Sequence, residues 1–93
     1  MTVAATIESK LRTSLAPARL AVIDESELHR GHAGWRPEGE THFRVEVVAE
    51  AFAGLSRVAR QRRVYELLAE ELAGPVHALS VTARTPAEEA AAG

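Results

Sequence analysis

The stretch THFRVEVV, residues 41–48, decides the fold because it alternates between apolar and polar side chains. Its apolar positions, which share one face, are Phe43, Val45 and Val47. Its polar positions, which share the other face, are His42, Arg44 and Glu46. Strand side chains point to opposite faces with a period of two, so the pattern predicts a strand that is buried on one side only. We therefore expect the polar side chains, His42 included, to be exposed.

Two further strands are predicted, one before this strand in the chain and one after it. The run LAVI, residues 20–23, is short, apolar and followed by polar residues. Residues 27–40 contain three glycines and a proline, which is the composition of a long loop. If that loop folds back, the first two strands are antiparallel. After a later Gly-Pro pair, residues 76–83 predict a third strand, with Leu79 and Val81 on one face.

Helical spacing appears before the first strand and after the second. Ile7, Leu11 and Leu15 recur every four residues within residues 3–16, which predicts a helix that ends before Pro17.

A second, longer helix is predicted over residues 57–73. Ser56 is a good residue to cap its amino end, and Gly74-Pro75 is a typical end signal. Its predicted apolar stripe consists of Val58, Tyr65, Leu68 and Leu72, widened by Val64 and Leu67.

These elements predict one α+β domain of two layers, with helices packed on one face of a three-stranded sheet. The order is α-β-β-α-β, and residues 52–56 allow a helical turn before the long helix. We place the domain at residues 1–86. Residues 87–93 are expected to form one frayed turn and then a flexible tail.

Composition narrows the classes of function. The 93 residues carry a net charge of −2, which does not favour nucleic acid as a bulk partner. There is no apolar run of about 20 residues to span a bilayer and no signal-peptide pattern, so we expect a cytoplasmic protein. The chain contains no cysteine. The chain therefore cannot supply a thiolate to a metal, and if its four histidines bind one, the remaining ligands must come from a partner.

A series of motifs in unbroken order resembles the BolA family. The matching segments are DES (24–26), ETHF (40–43), FAGLSRVARQR (52–62), VY (64–65), LAEEL (68–72), VHAL (76–79) and ARTP (83–86). The resemblance implies the αββααβ fold related to the class II KH topology, with a mixed sheet. It also implies pairing with a monothiol glutaredoxin, a bridging [2Fe–2S] cluster and a role in iron–sulfur cluster trafficking or iron homeostasis. Some bacterial members of the family regulate transcription.

The same resemblance implies where a metal would be held. The histidine of the Val-His-Ala-Leu motif falls on His77, and the second ligand comes from the loop between the first two strands. In this chain that ligand is either His32 or His29, and the two alignments of the loop leave the choice open. The glutaredoxin and bound glutathione would supply the remaining sulfur ligands. Gln61, where many members carry histidine, argues against a ligand at that position.

The arginines of the long helix allow two interpretations. Arg57, Arg60 and Arg63 recur every three residues and are expected on one solvated face, paired with Glu66 or Glu70 or docking a partner. The same row could contact DNA phosphates, although the GXXG loop of nucleic-acid-binding KH domains is missing. No constellation of a nucleophile and a base, phosphate loop or zinc-protease motif is present, so we expect a protein that is not an enzyme.

Overall fold

The computed structural model describes residues 2–26 and 39–92. Its strands are β1 (Arg19–Asp24), β2 (His42–Val48) and β3 (Ala78–Arg84). Its helices are α1 (Val3–Leu15), α2 (Arg57–Leu67), α3 (Ala69–Ala73) and α4 (Pro86–Ala92), and a 3-10 turn covers Glu50–Phe52. No helix in the described ranges is long and apolar enough to cross a membrane.

The three strands form one mixed sheet in the order β1-β2-β3. β2 is central, antiparallel to β1 and parallel to β3, and the register aligns Val22, Val45 and Val81 across the sheet. A parallel pair needs a crossover connection, which α2 and α3 provide between β2 and β3. The predicted α+β fold and mixed three-stranded sheet are confirmed.

The core lies between the sheet and the helices. Its fully or nearly fully buried members are Ile7, Leu11, Leu15, Phe43, Val45, Val47, Ala49, Phe52, Val64, Leu68 and Val76. The apolar positions of β2 that the alternating pattern selected are all among them. On the opposite face of the sheet, Arg44, Ser80 and Thr82 are exposed. The helices α1 and α2 therefore cover one face of the sheet, as predicted.

Local signals set the ends of the first helix. The Thr2 hydroxyl accepts a hydrogen bond from the Ala5 N–H and so caps α1. Ala16 adopts a left-handed conformation, with φ 45°, immediately before Pro17. The helix ends where the proline predicted it would.

The predicted helix over residues 57–73 is instead two helices, which meet at Leu68, and its predicted apolar stripe is partly wrong. Leu68 departs from helical geometry, with φ −108° and ψ 20°. Val58 and Tyr65 are 59% and 40% exposed, whereas Arg60 and Val64 are buried. The face of α2 that packs on the sheet is thus rotated away from Val58 and Tyr65. Arg60 can be buried on that face because its guanidinium donates to two backbone carbonyls and to Glu88.

The carboxyl end also differs from its prediction. Residues 86–92 form α4 where one frayed turn and a tail were expected. Thr85 begins this helix, since its hydroxyl accepts from the Glu88 N–H at 3.2 Å. Glu89 then pairs with Arg19 and Arg84 across the end of the sheet. These ion pairs hold α4 against the strands.

Candidate functional site

His77 lies at one end of the sheet, directly before β3, with its side chain exposed. The neighbouring Val76 is buried in the core and fixes this point of the chain. The backbone N–H groups of His77 and Ala78 both donate to the Thr41 carbonyl, at 2.7 and 3.2 Å. The backbone around His77 is therefore held firmly while its imidazole remains accessible.

His42 is buried, which corrects the prediction that it would be exposed. It begins β2 opposite Ala78, and only 4% of its surface is accessible. Its Nδ1 lies 2.8 Å from the Thr41 hydroxyl oxygen, and its ring centroid lies 5.4 Å from that of His77. Strand alternation placed His42 on the polar face correctly, but at the end of a strand neighbouring segments can cover that face.

A buried serine connects His42 to the end of β1. The Ser26 hydroxyl oxygen accepts hydrogen bonds from the N–H groups of Thr41 and His42, at 3.0 and 3.2 Å. The same hydroxyl donates to the Asp24 carboxylate. Asp24 also accepts from the Glu40 N–H at 3.0 Å. One carboxylate and one hydroxyl therefore hold Ser26 and Glu40, the two sides of the long loop, beside His42.

The protonation of Asp24 follows from this arrangement. Partial burial opposes ionisation, but hydrogen bonds from the Ser26 hydroxyl, the Ser26 N–H and the Glu40 N–H outweigh it and lower the pKa of Asp24. The nearby His42 acts in the same direction. Asp24 is thus held as a carboxylate, the form in which it accepts these bonds.

The structure brings two histidines together, His42 and His77. His29 and His32, and with them Trp35, lie outside the described residues. Within residues 2–26 and 39–92 no group of three or more histidines and carboxylates is arranged to hold a metal ion. The contacts of Ser26 were missed from the sequence, although Asp-x-Ser at a strand end is a known side-chain turn signal.

The predicted arginine row is not a single solvated face. Arg57 and Arg63 are exposed, but Arg60 is 8% exposed. The Arg60 guanidinium donates to the carbonyls of Leu55 and Ala83 and to both carboxylate oxygens of Glu88. The predicted pairing with Glu66 or Glu70 is not seen in the described part of the chain.

The contact with Arg60 strongly lowers the pKa of the Glu88 carboxyl group. Hydrogen bonds from Arg60, joined by one from the Thr85 N–H, lower the pKa of Glu88 to about 2. Arg60 and Glu88 form a fork-shaped pair that ties α2 to α4. Arg60 is therefore engaged within the fold, and it is not available to a nucleic acid.

Comparison with known proteins agrees with the fold and the motifs. The family model described as BolA-like protein matches residues 11–88. The structure of BolA1 from Arabidopsis thaliana superposes with a TM-score of 0.84 at 42% identity, covering 95% of this chain and 96% of that one. In both comparisons the match covers most of this chain. The chain belongs to the BolA-like protein family.

Relatives in this family carry different names. Human BolA-like protein 1 is 52% identical over 86 residues, which is 92% of this chain and 60% of the human protein. The DNA-binding transcriptional regulator BolA of Vibrio cholerae is 46% identical over 82 residues, covering 88% of this chain and 74% of that protein. The chain spans only 23% of SufE-like protein 1 from Arabidopsis thaliana, at 48% identity. None of these names states a reaction catalysed by the BolA domain.

Proposed function

We propose that this protein is a non-enzymatic BolA-like adaptor that pairs with a monothiol glutaredoxin and shares a bridging [2Fe–2S] cluster with it. Its role would be iron–sulfur cluster trafficking or iron homeostasis. The observation that carries the proposal is His77, an exposed imidazole on a firmly held backbone, next to the buried ring of His42.

The donor groups of the chain fit half of such a site. A [2Fe–2S] cluster accepts histidine in place of thiolate on one iron, and neutral imidazole raises its reduction potential. This chain offers imidazoles and no thiolate. The chain would contribute His77 and one loop histidine, His32 or His29, and the glutaredoxin and glutathione would contribute sulfur.

The surroundings of His77 suit a shared site better than a closed one. Its side chain is exposed and makes no hydrogen bond with another described residue, so the ring can turn toward a partner. Because Asp24 and Ser26 hold both sides of the loop beside His42, the loop begins and ends near the same point. A partner that contacts this end of the sheet would therefore be close to His77 and to the two residues, Ser26 and Glu40, that flank the loop.

The test is reconstitution with a monothiol glutaredoxin, iron, sulfide and glutathione. We expect a heterodimer on size exclusion and a visible absorption spectrum that changes in His77→Ala. Ser80→Ala is the matched control, because Ser80 is exposed on β3, the strand that follows His77, and faces away from the core. An identical spectrum in His77→Ala would contradict the ligand assignment. His29→Ala and His32→Ala, compared side by side, identify the loop ligand.

DNA binding is the second candidate, favoured by the name of the Vibrio cholerae relative. Arg57 and Arg63 are exposed on α2 and would contact phosphates, whereas Arg60 would not. A salt titration of duplex binding should then give a negative log–log slope of several units. Arg57→Ala and Arg63→Ala should each reduce that slope by about one unit. A flat salt response would exclude this function.

A further inference from the structure

We propose that the outer edge of β3 binds an extended, acidic peptide segment of a partner protein, which adds to the sheet as a fourth strand. The site is the edge groove, defined as the space between α2 and α4 along this edge. It lies away from His77 and does not depend on metal binding.

The backbone of β3 leaves one side open. The Arg84 carbonyl accepts a hydrogen bond from the Ala49 N–H, and the Ala78 N–H donates to the Thr41 carbonyl. The backbone N–H and C=O groups of the even-numbered residues of β3 therefore point toward β2. Backbone groups alternate in direction along a strand. The N–H and C=O groups of Leu79, Val81 and Ala83 therefore point outward, and within the described ranges β3 has no strand on that side.

α2 frames this edge without closing it. The Tyr65 hydroxyl donates to the Leu79 carbonyl at 3.0 Å, and Arg60 donates to the Ala83 carbonyl at 3.2 Å. Between them, both outward backbone groups of Val81 have no side-chain partner among the residues that the structure describes. An edge with unpaired N–H and C=O groups is the template on which an extended peptide forms a new strand.

A cavity of about 380 Å³ adjoins the same part of the strand. Residues 81–84 of β3 form one side of it. Arg57 and Gln61 of α2 line a second side, and Glu88 and Ala92 of α4 line a third. This volume accommodates a few residues of extended chain with their side chains, but it is too small for a folded element.

The charges in the edge groove select an acidic segment. Three arginines line it, but Arg60 is paired with Glu88 and Arg84 with Glu89. Arg57 is exposed and forms no ion pair with any described carboxylate. One unpaired guanidinium beside a free strand edge suits a peptide carboxylate. A nucleic acid, in contrast, requires several free cations.

The edge groove and His77 lie at opposite ends of β3. His77 precedes Ala78, whereas the cavity adjoins residues 81–84. At about 3.3 Å per residue, Val81, the cavity residue nearest to His77 in the chain, lies roughly 13 Å along the strand from His77. A peptide in the groove and a partner at His77 can therefore be bound at the same time, so failure of one site leaves the other unaffected.

The experiment titrates the isotope-labelled 93-residue protein with a hexapeptide of alternating valine and glutamate. We expect amide shifts centred on Leu79, Val81 and Ala83 in two-dimensional NMR spectra. The same peptide with lysine in place of glutamate should bind about tenfold more weakly. A third peptide, methylated on alternate backbone nitrogens, should not bind, because it lacks the donors that a new strand needs.

Charge reversal supplies the protein-side test. Arg57→Glu should weaken binding of the glutamate peptide about tenfold. Arg63→Glu is the matched control, since it reverses the same charge on an exposed part of α2 outside the cavity, and it should leave binding unchanged. Both positions are exposed, so the fold is preserved in each variant.

Several results would overturn the proposal. One is the absence of shifts along β3, and another is equal binding of the lysine or methylated peptides. Equal weakening by Arg57→Glu and Arg63→Glu would indicate attraction by net charge alone. A single-stranded oligonucleotide that displaces the peptide and shifts the same amides more strongly would assign the groove to nucleic acid instead.

Discussion

The imidazole rings of His42 and His77 lie 5.4 Å apart between centroids and are tilted by 49°. The parallel register of β2 and β3 causes this proximity, because His42 pairs with Ala78 and His77 directly precedes that residue. One ring is buried and the other is exposed. The exposed ring of His77 thus lies beside the buried ring of His42.

Replacing His77 should leave the fold intact. Because its side chain is exposed, His77→Ala is expected to change the free energy of unfolding by less than about 0.5 kcal/mol. Urea denaturation followed by circular dichroism measures this change. A much larger loss would mean that the imidazole supports the fold, and the change in cluster spectrum would then need a second ligand variant to interpret.

Ser26→Ala should be clearly destabilising. The substitution removes the acceptor of two buried N–H groups, those of Thr41 and His42, at a cost of about 1–3 kcal/mol. Chemical denaturation of the purified variant provides the measurement. Ser9→Ala, at an exposed position of α1, is the control and should be nearly neutral. Equal stability of the two variants would show that the hydrogen bonds accepted by the Ser26 hydroxyl do not stabilise the fold.

Two valines on α2 test which face of this helix is buried. Val64 is fully buried and Val58 is 59% exposed. Val64→Ala should cost about 2 kcal/mol through lost burial and the cavity it leaves, while Val58→Ala should cost close to zero. Denaturant midpoints of the two variants, compared at an equal denaturant dependence of the unfolding free energy, show which valine is buried. The reverse order would restore the stripe predicted from the sequence.

The pair formed by Arg60 and Glu88 should make stability depend on pH in the acid range. The pKa of Glu88 is about 2 in the folded protein, below its ordinary value of 4.5. A depressed carboxyl pKa stabilises the fold fully above the unfolded value, and this contribution disappears as the pH falls toward 2. Glu88→Gln should therefore remove part of the loss of stability between these two pH values.

Urea titrations at a series of pH values measure that dependence. Glu66→Gln is the control, because Glu66 is exposed on α2 and forms no ion pair with another described residue. If Glu88→Gln followed the same pH curve as the unmodified protein, the pairing with Arg60 would not contribute to acid stability.

Local patterns predicted most of the fold. The alternation in residues 41–48 located the central strand, and Pro17 and Gly74-Pro75 marked helix ends close to where they occur. These signals act within a few residues of the chain, through side-chain direction, φ restriction and capping. The same local reasoning misjudged Val58 and Tyr65, because apolar residue type alone does not determine which helix face meets the sheet.

The sequence by itself determined the strand and helix order, the family resemblance and the absence of thiolate ligands. Only the tertiary structure decided that His42 and Arg60, both polar, are buried. Burial of a polar group is favourable only where hydrogen-bond partners are supplied, and much of that supply comes from distant segments. The Ser26 hydroxyl accepts from the His42 N–H, and the ring of His77 lies beside that of His42. The Glu88 carboxylate accepts from Arg60. These contacts depend on sheet register and helix packing, which local sequence does not encode.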